Sequence, residues 1–193
     1  MKAGKKLTGH YALLFGIAVI VVILDQWSKS WIRQNVGLGA EIYPISFLAP
    51  FFRFTYWKNT GAALGIFQNA NIPLLILSSI IVIVIIGYYR KALDEPLVFR
   101  ISMGLLLGGA VGNIIDRIQL GYVTDFIAMG SFPVYNVADS CVTIGVFLML
   151  IGLLVQERKE KAANIEMEAN QEVDDENLVG RNHFFRRICQ TPG

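Results

Sequence analysis

Cysteine and histidine are both scarce in this chain, with two of each among 193 residues. Cys141 lies inside a long apolar run and Cys189 in a polar segment beyond it, so we expect two free thiols rather than a disulfide framework. A cysteine hydrolase is disfavoured because His10 is predicted on the opposite membrane face from Cys141 and His183 lies in the polar tail. No His or Cys cluster accompanies the acidic residues, so neither a required metal nor another cofactor is expected.

Charge is scarce as well. Only 17% of the residues are charged, the formal net charge is +2, and Lys and Arg are absent from Ile118 to Gln156. Without a basic stripe, a nucleic acid partner is not expected. The chain is instead 54% hydrophobic, with a mean hydropathy of +0.50, which is too apolar for an ordinary soluble domain. We therefore predict an integral membrane protein surrounded by membrane lipids.

Four segments have the composition of membrane spans, which need roughly 20 mainly apolar residues. They are residues 11–32, 72–89, 97–118 and 137–155. The connection between the first two contains Ile45–Trp57, a stretch rich in aromatic and β-branched residues that predicts short strands. The expected fold is an α-helical membrane protein: a four-helix transmembrane bundle with a small extracytoplasmic β-sheet between the first and second spans.

The composition changes after Val155 to Glu, Lys, Asn, Asp and Gln with few aliphatic residues. Such a segment cannot bury enough apolar surface to offset its chain entropy. We predict a membrane domain at residues 1–156 and a disordered polar cytoplasmic tail at residues 157–193, in which residues 160–180 are disordered or loosely helical.

Basic residues mark the predicted cytoplasmic side, because short cytoplasmic connections are enriched in Lys and Arg. They occur before the first span, between the second and third, and after the fourth: Lys2, Lys5, Lys6, Arg90, Lys91, Arg100, Arg158, Lys159 and Lys161. Both termini are therefore predicted inside, and the connection 121–136 outside. The N-terminus resembles a signal peptide without a small-residue cleavage pattern, which predicts a retained signal-anchor helix.

Two aspartates, Asp125 and Asp139, lie close to the start of the fourth span. Acids at the edge of a span lose hydration and are rare there unless they are paired or functional. Two carboxylates held close together share one proton, so one can draw a proton from water while the other polarises a carbonyl. We interpret this pair as a catalytic dyad of the aspartyl peptidase type, which works without a covalent intermediate.

Asp139 also has a purely structural interpretation. Asn136 and Asp139 have the spacing of a helix capping box, and the helix macrodipole favours the ionised form of an acid at that position. The capping box explains an acid at position 139, but it does not explain Asp125 or the polar cluster at residues 113–117. We therefore favour the catalytic interpretation of the pair.

Asp25 and Lys29 are four residues apart in the first span. This spacing is typical of an intrahelical ion pair, and the sequence leaves that role and a direct role in the site equally open. In the third span, Gly104, Gly108 and Gly112 recur every fourth residue and predict the close approach of another helix.

Close approach of another helix to the glycine face of the third span places Asn113 and Arg117 towards the bundle interior. Asp116 is placed to neutralise Arg117. The segment at residues 59–65 is interpreted first as a tight turn, although its glycines also permit close approach of the backbone to a ligand.

Two other functions fit parts of the pattern. A small ion- or proton-coupled transporter is the main alternative, because intramembrane Asp, Asn and Arg also mark ion pathways. Transporter sites usually lie near the midplane between internal repeats, whereas these groups lie at one edge of a chain without a visible repeat. A serine peptidase would use Ser28 with Lys29, or Ser140, and the neighbouring Asp25 argues against the neutral lysine that such a site needs.

Five motifs resemble, in order and placement, those of signal peptidase II, the bacterial lipoprotein signal peptidase. They are Asp25-Gln-Trp-Ser-Lys29, Asn59-Thr-Gly61-Ala-Ala63, Gly112-Asn113-Ile-Ile-Asp116-Arg117, Val123-Thr-Asp125-Phe126 and Asn136-Val-Ala-Asp139. The resemblance covers residues 10–156. Each motif is short, but five in order on a four-span chain are specific.

The resemblance implies an aspartyl endopeptidase of the bacterial cytoplasmic (inner) membrane, with its active site on the outer face. Its substrates would be prolipoproteins, cut in front of a diacylglyceryl-modified cysteine, and globomycin-type cyclic peptides would inhibit it. The catalytic dyad implied is Asp125 and Asp139, and the aromatic stretch at residues 45–67 corresponds to a surface sheet that cradles the substrate.

The resemblance also assigns supporting residues. Those implied to contact substrate or inhibitor, or to support the dyad, are Asn59, Gly61, Asn113, Arg117, Asn136 and Ala138. Those implied to be structural are Asp25 and Asp116, together with Lys29 as the partner of Asp25.

Deletion of residues 162–193 is expected to leave the specific peptidase activity unchanged, because the deleted segment lies beyond all five motifs. Cleavage of a diacylglyceryl-modified prolipoprotein by the purified truncation checks this. Loss of specific activity in a properly inserted truncation would contradict the predicted role of the tail.

Overall fold

A computed structural model of the chain describes residues 2–49, 51–61 and 70–188. Within these ranges, four helices are long and apolar enough to cross a membrane. Their bounds are α1 Lys2–Asn35, α2 Asn71–Tyr89, α3 Leu97–Leu120 and α4 Val137–Ile188. The four predicted spans are therefore confirmed: α2 and α3 nearly coincide with the prediction, and α1 and α4 extend beyond it. Position 50 and residues 62–67 of the predicted cradle, which include Ala62 and Ala63, lie outside the described residues, as does Cys189.

A three-stranded antiparallel sheet lies at the end of the bundle where α1 and α3 end. Its strands are β1 Glu41–Ile42, β2 Phe52–Asn59 and β3 Val123–Met129, in the order β1-β2-β3. As predicted, β1 and β2 come from the connection between α1 and α2. The third strand comes from the connection between α3 and α4, for which the sequence predicted no strand. This correction matters because β3 carries Asp125, which is paired in register with Trp57 of β2.

Gly121 makes the sharp change of direction from α3 to β3. Its φ of +78° lies in the left-handed region that glycine enters without strain, and its N–H donates to the Arg117 carbonyl at the end of the helix. The strand begins two residues later, so Asp125 stands only a few residues beyond the end of α3.

The glycine face of α3 packs against α1. A Cβ atom added to Gly108 would lie 2.6 Å from Cβ of Val21, and one added to Gly112 would lie 2.5 Å from Oδ2 of Asp25. Gly104 meets α1 in the same way. The predicted close approach is confirmed, and the helix that approaches is α1.

Two apolar clusters hold these elements together. One lies inside the helix bundle and consists of Leu14, Ala18, Ile85, Tyr89, Ala92, Phe99, Met103 and Leu107. The other joins the end of α1 to the sheet and consists of Ile32, Val36, Tyr56 and Phe126. Because Phe126 follows Asp125 directly, the second cluster fixes β3 on α1 right beside the acid.

The chain falls into two compact units, residues 1–152 and residues 153–193. Helix α4 includes residues 157–188 of the predicted tail. Pairs at i,i+4 spacing favour this helix: Gln156 donates to Glu160, and Lys161 lies 2.6 Å from Glu157. The division of the chain at residue 156 stays a prediction.

Substituting Gly108 by alanine should destabilise the fold by about 1–3 kcal/mol, because the new methyl group overpacks the α1 contact. Its neighbours there include backbone atoms of Ala18 as well as Val21, and backbone cannot swing aside. Thermal unfolding of the purified variant in detergent measures the change.

The matched control is Gly87→Ala on α2, where an added Cβ meets nothing within 4 Å. This variant should unfold at the wild-type temperature or slightly above it, because alanine favours helix more than glycine does. Equal stability of the Gly108 and Gly87 variants would show that the α1 contact is not tight.

Candidate active site

Asp125 and Asp139 reach the site from different elements. Asp125 is on β3 and is almost fully buried, with 1% of its surface exposed. Asp139 is the third residue of α4 and is half-buried. Positions fourteen residues apart in sequence are thus brought to the same end of the bundle, where β3 and the start of α4 adjoin.

Asn136 contacts both acids. Its Nδ2 donates to Oδ1 of Asp125 at 2.7 Å, and its Oδ1 accepts a hydrogen bond from the backbone N–H of Asp139 at 2.9 Å. Its own backbone N–H donates to Oδ2 of Asp139 at 3.3 Å. The last two bonds form the predicted capping box, which is confirmed. The bond from Nδ2 to Asp125 shows that the side chain of the residue just before α4 reaches the acid on β3.

Two further amides complete the hydrogen bonding of the acids. Asn59 Nδ2 donates to Oδ2 of Asp125 at 2.8 Å, and the Gly61 backbone N–H fixes that amide by donating to its Oδ1 at 3.0 Å. Asn113 Nδ2 donates to Oδ1 of Asp139 at 2.8 Å. Each of the four carboxylate oxygens therefore accepts a hydrogen bond from an uncharged N–H donor.

The electrostatic environment of Asp125 favours its protonated form. Burial, and then the charge of Asp139, raises the pKa of Asp125 to about 7, although hydrogen bonds from Asn59 and Asn136 and the charge of Lys29 act in the opposite direction. The half-buried guanidinium of Arg117 interacts electrostatically with both acids. An acid that holds a proton near neutral pH beside a second, more exposed acid is an arrangement suited to general acid and base catalysis.

The predicted ion pair between Asp25 and Lys29 is confirmed, with 2.8 Å between Nζ and Oδ2 and both side chains fully buried. Lys29 also reaches the site, because Nζ donates to Oδ1 of Asn113 at 2.9 Å. Ala138 is fully buried, and its backbone N–H donates to Oδ1 of Asp25 at 3.0 Å.

Asp116 interacts electrostatically with its neighbour Arg117, as the sequence predicts, but its ion pairs are with α1. It lies 3.5 Å from Nζ of Lys29 and 3.7 Å from Nη1 of Arg33. Residues 116 and 117 point differently because adjacent positions on a helix are about 100° apart around the axis. The side chain of Asp116 faces α1, and its Oδ2 accepts the backbone N–H of Thr124 at 2.8 Å.

The sequence assigned no role to three residues near the site, namely Gln26, Arg33 and Thr124. Gln26 donates to the Gly112 carbonyl and to Asp116, and Arg33 donates to Oγ1 of Thr124 at 3.0 Å. A signal was present for Arg33, which follows Lys29 by four residues and so lies on the same helix face. Among the described residues, no group of three or more His, Cys, Asp or Glu side chains is arranged to hold a metal ion.

Comparison with known proteins gives consistent matches. The family model for Signal peptidase (SPase) II matches residues 17–155. The lipoprotein signal peptidase of Symbiobacterium thermophilum is 37% identical over 150 residues, which cover 76% of this chain and 97% of that protein. The one from Halalkalibacterium halodurans is 38% identical over 149 residues, which cover 75% and 94%.

Solved structures agree with these sequence matches. A bacterial membrane enzyme determined by the in meso method at 2.3 Å resolution has a TM-score of 0.69 and 37% identity, covering 75% of this chain and 88% of its own. A second, at 1.9 Å resolution, has a TM-score of 0.66 and 38% identity, covering 73% and 92%. The chain therefore belongs to the signal peptidase II family and is a multi-pass bacterial membrane peptidase of the aspartic type.

Proposed function

We propose that this protein removes signal peptides from diacylglyceryl-modified prolipoproteins, using Asp125 and Asp139 to activate water at the outer face of the cytoplasmic membrane. The observation that carries the proposal is that Asn136 is hydrogen-bonded to both acids, one of which has its pKa raised to about 7. The matched relatives named lipoprotein signal peptidase support the class of substrate.

In this mechanism, Asp139 is the base and Asp125 the acid. Asp139 stands in the first turn of α4, where the macrodipole favours negative charge, and its ionised carboxylate takes a proton from water. The water oxygen bonds to the carbonyl carbon of the scissile amide while Asp125 gives its proton to the carbonyl oxygen. The gem-diol then collapses: one of its hydroxyl groups returns a proton to Asp125, the C–N bond breaks, and the proton held by Asp139 passes to the amine.

The remaining residues hold the acids and the substrate. Asn59, Asn113 and Asn136 orient the carboxylates through the hydrogen bonds described above, and Gly61 orients Asn59. Arg117 is the cation available for a substrate carbonyl or for charge that develops in the transition state. Ala138 is too buried to contact substrate, so its role is to fix the first turn of α4.

The orientation in the membrane follows from the distribution of basic residues. With both termini in the cytoplasm, the ends of α1 and α3 and the three-stranded sheet face outward, and the acids lie at that level. A substrate that is anchored by its acyl chains can then stay in the lipid while its peptide bond reaches the acids. Globomycin-type cyclic peptides would occupy the same place.

Replacing either acid by asparagine, in Asp125→Asn or Asp139→Asn, should lower kcat by about 10²–10⁴-fold, because each substitution removes one of the two proton-transfer groups. The measurement is cleavage of a purified diacylglyceryl-modified prolipoprotein in detergent, with and without a chelator. Cleavage by the wild type should survive the chelator.

Glu41→Gln is the matched control, because Glu41 is an exposed acid on the same sheet and should be dispensable. Full turnover by either folded asparagine variant would refute the dyad. Loss of wild-type activity under the chelator would indicate a metal-dependent hydrolase instead. The absence of any cleavage by the wild type would contradict the peptidase function and favour the alternative of a small ion- or proton-coupled transporter.

The value of kcat/KM, which reports the ionisation of the free enzyme, should fall as the pH rises through about 7. Below that pH Asp125 keeps the proton that it must donate, and above it Asp125 is ionised and the reaction has no acid. The groups that face Asp125 are Asp139 from α4, Arg117 from α3, Lys29 from α1 and the uncharged amides of Asn59 and Asn136. A rate that is still rising at pH 9 would contradict this assignment of the proton.

A further inference from the structure

Three charged side chains lie fully buried beside the site and take no part in the proposed chemistry. Lys29 stands between two carboxylates, with Nζ 2.8 Å from Asp25 and 3.5 Å from Asp116. None of the three side chains takes part in a proton transfer or a bond change at the scissile amide. A buried ion pair is weak evidence for a stabilising role, because removing charges from water costs about as much as their attraction returns. Their positions therefore call for another explanation.

Each of these two carboxylates accepts a backbone N–H from the residue that directly precedes a proposed catalytic acid. Asp25 accepts from Ala138, which precedes Asp139, at 3.0 Å. Asp116 accepts from Thr124, which precedes Asp125, at 2.8 Å. The two elements that carry the acids are thus each fixed to one carboxylate, and a single ammonium joins the carboxylates.

The Lys29 ammonium also affects the orientation of the side-chain amide of Asn113. Nζ of Lys29 donates to Oδ1 of Asn113 at 2.9 Å, which leaves Nδ2 of Asn113 to donate to Asp139 at 2.8 Å. If the amide turned over, a carbonyl oxygen would face the carboxylate and repel it. Because an ammonium can only donate, Lys29 favours this orientation of the amide. Nδ2 of Asn136 donates to the same oxygen at 3.2 Å and favours it as well.

We infer that Lys29 is a positioning residue, which sets the separation and orientation of the two acids through Asp25, Asp116 and Asn113. The inference rests on the proposed function, since it assumes that these acids perform the chemistry. A purely structural ion pair would affect only the stability of the helix bundle. A positioning residue also affects the geometry and the charge of the two acids.

The test compares Lys29→Met with a charge-balanced double variant, Asp25→Asn with Lys29→Met. In the double variant the asparagine Oδ1 can still accept from Ala138, and Asp116 keeps Arg33 as a partner, so folding is favoured even where the single variant is unstable. Lys161→Met is the matched control, because it removes the lysine of an exposed pair at the same i,i+4 spacing. Thermal unfolding in detergent and the kinetics of prolipoprotein cleavage are measured for all of them.

We expect kcat to fall by about 10–100-fold in the folded Lys29 variants, since a small misplacement of reacting groups has an effect of this size. KM should stay within about two-fold, because Lys29 is buried away from any bound peptide. In the single Lys29→Met variant the alkaline limb of the pH profile should also move to higher pH, because the lost positive charge no longer favours ionisation of Asp125. Lys161→Met should match the wild type in all three quantities.

A folded Lys29 variant with wild-type kcat and an unmoved pH profile overturns the inference, as does a variant that loses only thermal stability. Failure of the proposed function looks different. In that case the wild type does not cleave the prolipoprotein, or Asp125→Asn and Asp139→Asn cleave as it does. A third outcome would reject the positioning role alone: the wild type and the Lys29 variants cleave the prolipoprotein equally well, and the two aspartate variants do not cleave it.

Discussion

The close approach of α1 to α3 is the constraint on which the rest of the site depends. The contact at Gly112 leaves no room for a side-chain carbon, because a Cβ there would lie 2.5 Å from a carboxylate oxygen of Asp25. At this distance Lys29 extends from α1 to both Asn113 and Asp116 on α3. Wider spacing of the helices would leave Asp116 without Lys29 and Arg33, its ion-pair partners on α1. An unpaired buried charge costs several kcal/mol.

The start of α4 combines a structural task with a proposed catalytic one. One oxygen of Asp139 closes the capping box with Asn136, and the other accepts from Asn113. The structural explanation of this acid and the functional one are therefore compatible, since they use different oxygens. Gly109 of α3 lets α4 come close enough for this arrangement, with an added Cβ there only 2.5 Å from the Ala138 carbonyl.

The features that sequence predicted well are local ones. Span length, the capping box and the pairing of Asp25 with Lys29 each depend on residues within a few turns of one helix. The third strand was missed because its partner, β2, lies more than sixty residues earlier, as in the bond from Asn59 to Asp125. The glycine repeat predicted a neighbouring helix but contained no information about which helix it would be. For the same reason the sequence did not predict that Asp116 forms ion pairs with Lys29 and Arg33 of α1.

All four oxygens of the acid pair accept from amide N–H groups, none of which gains or loses a proton near neutral pH. The scaffold around the pair therefore keeps the same donors whether the pair carries no, one or two negative charges. Return of the enzyme to its starting form after each product leaves then needs only the movement of a hydrogen ion, and the polypeptide need not rearrange between cycles.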